Sequence, residues 1–408
     1  MTARRSALIG IIASAALALA GACASLYTDA AAYFGDAEVG ALDLRDPYTL
    51  SGFTVLDGVV DRYAVFLAGE VHGVAENLDY TYALFRYLHD RRGVRTYLAE
   101  MGFAAGEQLN AYVQGAASEE DLARVMDASR GTYAWTREWR AFWRKLRRWN
   151  EQVEPGSRIR VVGIDVEHQA GLGFAYIADL LPATPAGSDI ATVASELAGW
   201  SAAIGAPASR DLAERAHDSM GRYQSQWSSY LGDAYHLVRI AVGNIVRRFE
   251  YYENPRDAEV REAAIYRNFI DVFEHVLGPD ERRFVGLWGN VHVPTAPVSG
   301  FAWLGSRLQH GVDSPVSGAV FAIAPYYDGS TALRTFPYRS VPLSSGRHIV
   351  RLLAPYATTT ATLFYLDGDD SPLQSSPALS PDGRTPTTRM YQAAVLFSRA
   401  RASTPLDQ

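Results

Sequence analysis

The chain carries one cysteine, Cys23, in 408 residues. No disulfide can form within it, and no other thiol is present to act as a nucleophile or metal ligand. There is no Gly-x-Ser-x-Gly, so a serine nucleophile elbow is not expected. His-Glu-x-x-His, a P-loop and Gly-x-Gly-x-x-Gly are all missing, and Gly171-Leu172-Gly173 is too short to stand for the last. Positive charge is not in excess. Lys and Arg total 38 against 45 Asp and Glu, a net charge of -7, which argues against nucleic acid as a partner because phosphate needs a basic surface. No run of the chain is apolar for long enough to read as a membrane-spanning helix.

What is present is a globular composition, 48% hydrophobic and 20% charged, enough for a packed core in one large domain with an insertion. Residues 1–24 read as a signal peptide: Arg4 and Arg5, then an apolar run from Ala7 to Ala20, then Gly21-Ala22-Cys23. Cys23 sits where a lipobox cysteine would take a lipid, although Ala20 stands where leucine is usual, and ordinary cleavage after Ala22-Cys23-Ala24 also fits a small-x-small rule. The expectation is an exported bacterial protein, periplasmic or held to the membrane through a lipid on Cys23. Residues 25–60 lack periodicity and read as a lead-in to a domain over 61–400.

Five short apolar runs rich in Val, Ile, Phe and Tyr stand out at 64–68, 95–99, 159–164, 283–288 and 319–324. They suit buried strands of a parallel sheet. Helical patterns lie between them at 77–92 and 103–113, and in the stripe Trp135, Trp139, Phe142, Trp143 and Leu146. The stripe reads as core packing, and the arginines around it as a solvated face. Residues 170–280 hold helical patterns and no convincing strand. The predicted fold is α/β, with a central, mostly parallel sheet flanked by helices and a helical insertion between the third and fourth strands. Residues 366–388, rich in Pro, Ser and Asp, read as a surface loop between β-prone runs at 358–365 and 392–397.

Titratable groups follow four of the strand runs. Gly69-Glu70-Val71-His72-Gly73 follows the first, Glu100 the second, Asp165 with Glu167 and His168 the third, and Gly289-Asn290-Val291-His292 the fourth. In open parallel sheets ligands bind at that edge. A spacing of two in extended chain puts Glu70 and His72 on one side, and likewise Asn290 and His292. A carboxylate beside an imidazole fixes its tautomer and raises its basicity, as a general base requires. A single glutamate after a strand can instead be a helix cap or ion-pair member, Asp165 could hold a loop, and His168 reads as peripheral. The cluster most simply activates water, directly or through a metal.

These segments also carry a resemblance. VFLAGEVHGVAENLDYTYALFRYL, RTYLAEMGFAAGEQLNAYV, WTREWRAFWRKLRRWNEQ with IRVVGIDVEHQ, REAAIYRNF and RFVGLWGNVHV together resemble, in order, the motif blocks of the erythromycin esterase family. The resemblance implies an α/β fold with a helical insertion and hydrolysis of an ester, best known on a lactone ring, by histidine-activated water. It implies His72 as general base and Glu70 as the group that tunes it. Glu100 would be a second acid or positioning group, and His292 would stabilise developing charge or bind substrate. Arg261 and Asn268 would line or brace the pocket, and Asp165 and Asn290, read from their places at the strand ends, would bind substrate. A small-molecule ester is the implied partner, and no cofactor is expected, a divalent metal remaining an open alternative. Only Val71 separates Glu70 from His72 where the family usually has two residues, and Thr81 and Gly289 stand where it has a basic residue and a histidine. The shorter turn also looks like that of related haem-uptake lipoproteins and metalloproteases, which keeps a non-catalytic haem or metal binder and a metallopeptidase as alternatives.

Overall fold

The computed structural model describes residues 25–35, 38–46, 48–200 and 206–407. The predicted leader, with Cys23, lies outside them. The order of elements through the first half is β1 (Val39–Leu42), β2 (Val65–Glu70), α1 (Glu76–Arg92), β3 (Thr96–Gly102), α2 (Phe103–Val113), α3 (Glu119–Ala128), α4 (Arg137–Asn150) and β4 (Arg160–Asp165). The insertion then runs through α5 (Ala170–Leu180), α6 (Ala191–Ala198), α7 (Ala206–Arg222), α8 (Gln224–Leu231), α9 (Tyr235–Glu253) and α10 (Ala258–His275). It is followed by β5 (Phe284–Gly289), α11 (Leu304–His310), β6 (Val320–Asp328), β7 (Ser330–Thr335), β8 (Tyr338–Leu343), α12 (Arg347–Leu353), β9 (Ala361–Tyr365) and β10 (Ala393–Ser398).

Among the described residues the main sheet has eight strands, in the order β1-β9-β10-β6-β2-β5-β3-β4. From β10 to β4 every pairing is parallel, and β9 and β1 close one edge antiparallel. The fold is therefore the expected one, mixed α/β about a mostly parallel sheet. Strand side chains alternate between two cores. Val65 and Leu67 face one and Phe66 and Ala68 the other; Phe284 and Trp288 oppose Val285 and Leu287 in the same way. The first core is covered by the insertion, through residues such as Phe174, Trp227, Ile245 and Phe269. The second is covered by α1 and α4, with Phe85, Leu88, Trp143 and Leu146. Both faces being covered explains why the strands read as unbroken apolar runs.

Two expectations need correction, and one element carried no signal in the sequence. The lead-in is part of the domain: residues 25–33 are helical, and β1 pairs with β9 because that strand otherwise leaves an open row of backbone donors and acceptors at the sheet edge. The 366–388 segment is not a free surface loop. It folds into short 3-10 turns that bury Leu373, Leu379 and Thr387, and Tyr326 Oη donates to the Leu379 carbonyl at 2.5 Å. The hairpin β7–β8 forms a separate two-stranded sheet that the apolar pattern did not reveal. Its β8 is half exposed and alternates little, so periodicity gave no signal.

Candidate active site

Parallel order puts the C-terminal ends of β2, β5, β3 and β4 side by side. Glu70 closes β2 directly opposite Gly289, which closes β5. The register of β3 slips between Ala99 and Gly102, and this bulge carries Glu100. Two glycines permit the first turn. Gly73 has φ 84°, and a Cβ there would meet the Leu333 carbonyl at 2.6 Å; a Cβ at Gly69 would meet Asn290 Oδ1 at 2.8 Å.

Glu70 Oε1 lies 2.7 Å from His72 Nδ1. Its other oxygen accepts from Asn77 Nδ2 at 2.9 Å, and Asn77 Oδ1 accepts from Tyr327 Oη at 2.9 Å. Glu70 is thus fixed from behind, and it holds the ring of His72 in one orientation. Tyr133 stacks on that ring with centroids 5.2 Å apart. His72 keeps 38% of its side-chain surface open to the cavity. Its pKa is set by opposing causes. Burial disfavours the charge, but the Glu70 carboxylate, its hydrogen bond and Glu100 outweigh that and raise the imidazole to about 9.

Glu100 accepts from the Gly289 N–H at 2.6 Å and from Arg261 Nη2 at 3.0 Å, and lies 3.4 Å from His292 Nε2. Burial would raise its carboxyl, yet His292, His72 and Arg261 hold it below its ordinary value. Arg261 grips the fully buried Asp165 with two nitrogens, at 3.0 and 2.5 Å. Burial again opposes the charge of Asp165, but Arg261 and His168 keep it ionised well below the usual carboxylate range. His292 is buried, 2.7 Å from Glu262 Oε1 in an ion pair poorly aligned for a hydrogen bond. Burial opposes its charge too, but Glu100 and Glu262 raise its pKa. Gly289 lies among these groups. A Cβ there would stand 3.3 Å from His72 Nε2, 3.5 Å from Glu100 Oε2 and 3.5 Å from His292 Cδ2, so glycine keeps that face of His72 accessible to a water-sized group.

The structure brings Glu70, His72, Glu100, His292, Asp165 and Arg261 into one cluster, and Asn290 onto the wall of an adjoining cavity. Asn268 is placed differently. It is fully buried behind β4, where its amide donates to the Ile164 carbonyl at 2.9 Å and to Asn244 Oδ1 at 2.8 Å. It braces the strand end and is not on the cavity wall. His168 is not peripheral: Nε2 lies 3.2 Å from Asp165 Oδ2, and the ring lines the larger cavity. Sequence reading missed Tyr133, Asn77, Tyr251, Tyr252 and Glu262. Glu262 stood beside Arg261 in REAAIYRNF and was the one with a local signal.

Arg261 places a fixed positive charge against Glu100, one of the four groups, with Glu70, His72 and His292, that a divalent ion at this cluster would use. Among the described residues no group of three or more His, Cys, Asp or Glu is arranged to hold a metal ion.

A sequence model described as erythromycin esterase matches residues 89–313, more than half of the chain. This chain belongs to the erythromycin esterase family. No curated protein matches it. Among solved structures it is similar to a Bacillus cereus protein, with 14% identity, TM-score 0.67, and 93% of this chain and 98% of the other covered. A succinoglycan biosynthesis protein matches at 13% identity and TM-score 0.64, covering 94% and 97%. An erythromycin esterase mutant in its open conformation matches at 16% identity and TM-score 0.63, covering 90% and 99%. At such identities the likeness is one of fold. The family's chemistry has to be argued from the cluster over β2, β3 and β5.

Proposed function

We propose that this member of the erythromycin esterase family is an exported hydrolase that cleaves a small-molecule ester with water activated by His72. The observation that carries the reading is the Glu70–His72 pair, 2.7 Å apart, whose free Nε2 faces the space that Gly289 leaves beside Glu100. A water bound there reaches Nε2 and Glu100 together. The water oxygen attacks the ester carbonyl carbon and its proton passes to Nε2. The charge on the carbonyl oxygen develops next to Arg261, a fixed cation, and His292, whose charged form is favoured by Glu100 and Glu262. Collapse breaks the bond to the alkoxide, which takes the proton from Nε2, leaving an acid and an alcohol. Glu70 keeps the imidazole oriented and stabilises its charged form throughout.

His72→Asn is expected to lower kcat by about 10²- to 10⁴-fold on short aryl esters while the folded circular dichroism spectrum is kept. Because the base must be neutral, wild-type kcat/KM should rise about tenfold per pH unit below 9 and level off near it. Full activity in the variant would remove His72 as the base. For location, the leader and Cys23 support a lipid anchor. The wild type should then sediment with membranes while Cys23→Ser does not, and equal sedimentation would refute the anchor.

A further inference from the structure

The apolar side chains left exposed by this protein are concentrated in one place. Six large hydrophobic residues are exposed among the described residues. Four of them, Val71, Tyr252, Val291 and Phe336, line two cavities that meet over His72. Single exposed hydrophobic residues are ordinary; a group gathered round a cavity marks a surface that takes up something apolar.

The two cavities differ in kind. The larger, about 660 Å³, carries five aromatic rings, Tyr252 and Phe336 with Tyr133, Trp139 and Tyr251, beside aliphatic Met101, Val125 and Leu287. The smaller, about 370 Å³, presents aliphatic groups such as Val71, Val291, Leu333, Val341 and Leu343, and its only tyrosine, tryptophan or phenylalanine is Tyr133. The residues they share are Glu70, His72, Glu100, Tyr133 and Arg261, which are the reacting cluster and the ring stacked on its histidine. The hairpin β7–β8 walls both, sending Thr335 and Phe336 to the larger side and Leu333 with Val341 to the smaller. It is held in place by Tyr338, whose Oη accepts from the Gly131 N–H at 2.9 Å, next to the loop that carries Tyr133.

An ester carbonyl attacked at His72 has two substituents, and they leave the carbonyl in different directions. We infer that the substrate is a two-armed apolar ester, with an aromatic arm in the larger cavity, an aliphatic arm in the smaller one and the carbonyl at their junction. Aromatic faces reward a flat ring through offset or edge contacts, which an aliphatic wall cannot supply. This rests on the hydrolase reading above and goes beyond it in naming the substrate class.

The test uses the full chain and three esters: naphthyl with butyl, butyl with butyl, and naphthyl on both arms. The ketone isostere of the mixed ester, followed by naphthyl fluorescence, reports binding without turnover. Phe336→Ala and Val291→Asp both alter exposed side chains, so the fold is retained. The mixed ester should have the highest kcat/KM. Phe336→Ala should lower it roughly tenfold through KM and lower the dibutyl ester by a clearly smaller factor. Val291→Asp should weaken both butyl-containing esters. Hydrolysis indifferent to the arms, or the same loss on every ester, overturns the inference and leaves the hydrolase reading standing. Arm-specific loss of ketone binding without hydrolysis of any ester keeps the two-armed site and overturns the hydrolase reading. No hydrolysis and no ketone binding overturn both.

Discussion

Gly289 shows how much a missing side chain can determine. Its N–H holds Glu100 at 2.6 Å, and the point where a Cβ would stand is within reach of both His72 Nε2 and Glu100 Oε2. Unlike Gly163 or Gly106, where a Cβ would come within 2.2 Å of backbone, a methyl group at position 289 would come no closer than 3.3 Å, to the edge of the His72 ring, a tight contact that a shift of the ring by a few tenths of an ångström relieves. Gly289→Ala should therefore fold normally and lower kcat by about 10²-fold, because the methyl takes the place of the attacking water. Substrate KM should change little. Steady-state kinetics beside a thermal melt checks this; unchanged kcat would mean that the water approaches from elsewhere. Thr81, at a position where a basic residue is usual, is buried with its hydroxyl donating to the Asn77 carbonyl at 2.7 Å. It supports the helix turn that carries Asn77, behind Glu70.

At the level of elements, the insertion does more than cover one face of the sheet. Helix α10 sends Arg261 to Asp165 at the end of β4 and to Glu100 in the β3 bulge, and Glu262 to His292. Asn268, two turns further along the same helix, ties it to the β4 backbone. Removing the guanidinium would leave buried Asp165 without its two-point partner and with only the single contact to His168 as an ion pair. Arg261→Ala should therefore destabilise the fold by roughly 3–5 kcal/mol in denaturant titration, and Arg261→Lys should recover only part of that, since one ammonium cannot bond Asp165 at two points and Glu100 as well. A loss under about 1 kcal/mol would show that water relieves the buried charge. The hairpin β7–β8 has the complementary place, over the opposite side of the cluster.

Across the whole molecule, stability should depend on a group outside the cluster. Glu167 is fully buried at the start of α2 and accepts the Ala104 N–H at 2.9 Å. Burial is the dominant cause and pushes its carboxyl up to about 7, against the opposing Ala104 N–H and His168. The folded chain thus keeps a proton that the unfolded chain loses between about pH 4.5 and 7. The stability this group contributes is present at low pH and is lost as pH rises through 7. Glu167→Gln should gain on the wild type by on the order of 3 kcal/mol between pH 4 and pH 8. A difference between the two that stayed constant with pH would show that Glu167 is ionised throughout.

The sequence by itself determined the sheet strands and most of the site. Apolar runs marked β2 to β6 because both sheet faces are covered, and parallel order then obliged Glu70, Glu100, Asp165 and Gly289 to end on one edge. The motif blocks named the family. The leader reading falls on residues the structure does not describe. What only the tertiary structure decided were relations between distant segments. Asn268 and His168 exchanged places, one behind the cavity wall and one on it, because helical spacing does not say which side of a strand end a helix will meet. Tyr133, Tyr252 and Phe336 lie on three separate segments and meet over the cluster only through the loop after α3, helix α9 and a hairpin that periodicity did not reveal. The charge of His72 was likewise a matter of folding. Adjacency in sequence supplied Glu70, but the approach of Glu100 across the sheet is what helps to carry the imidazole to about 9.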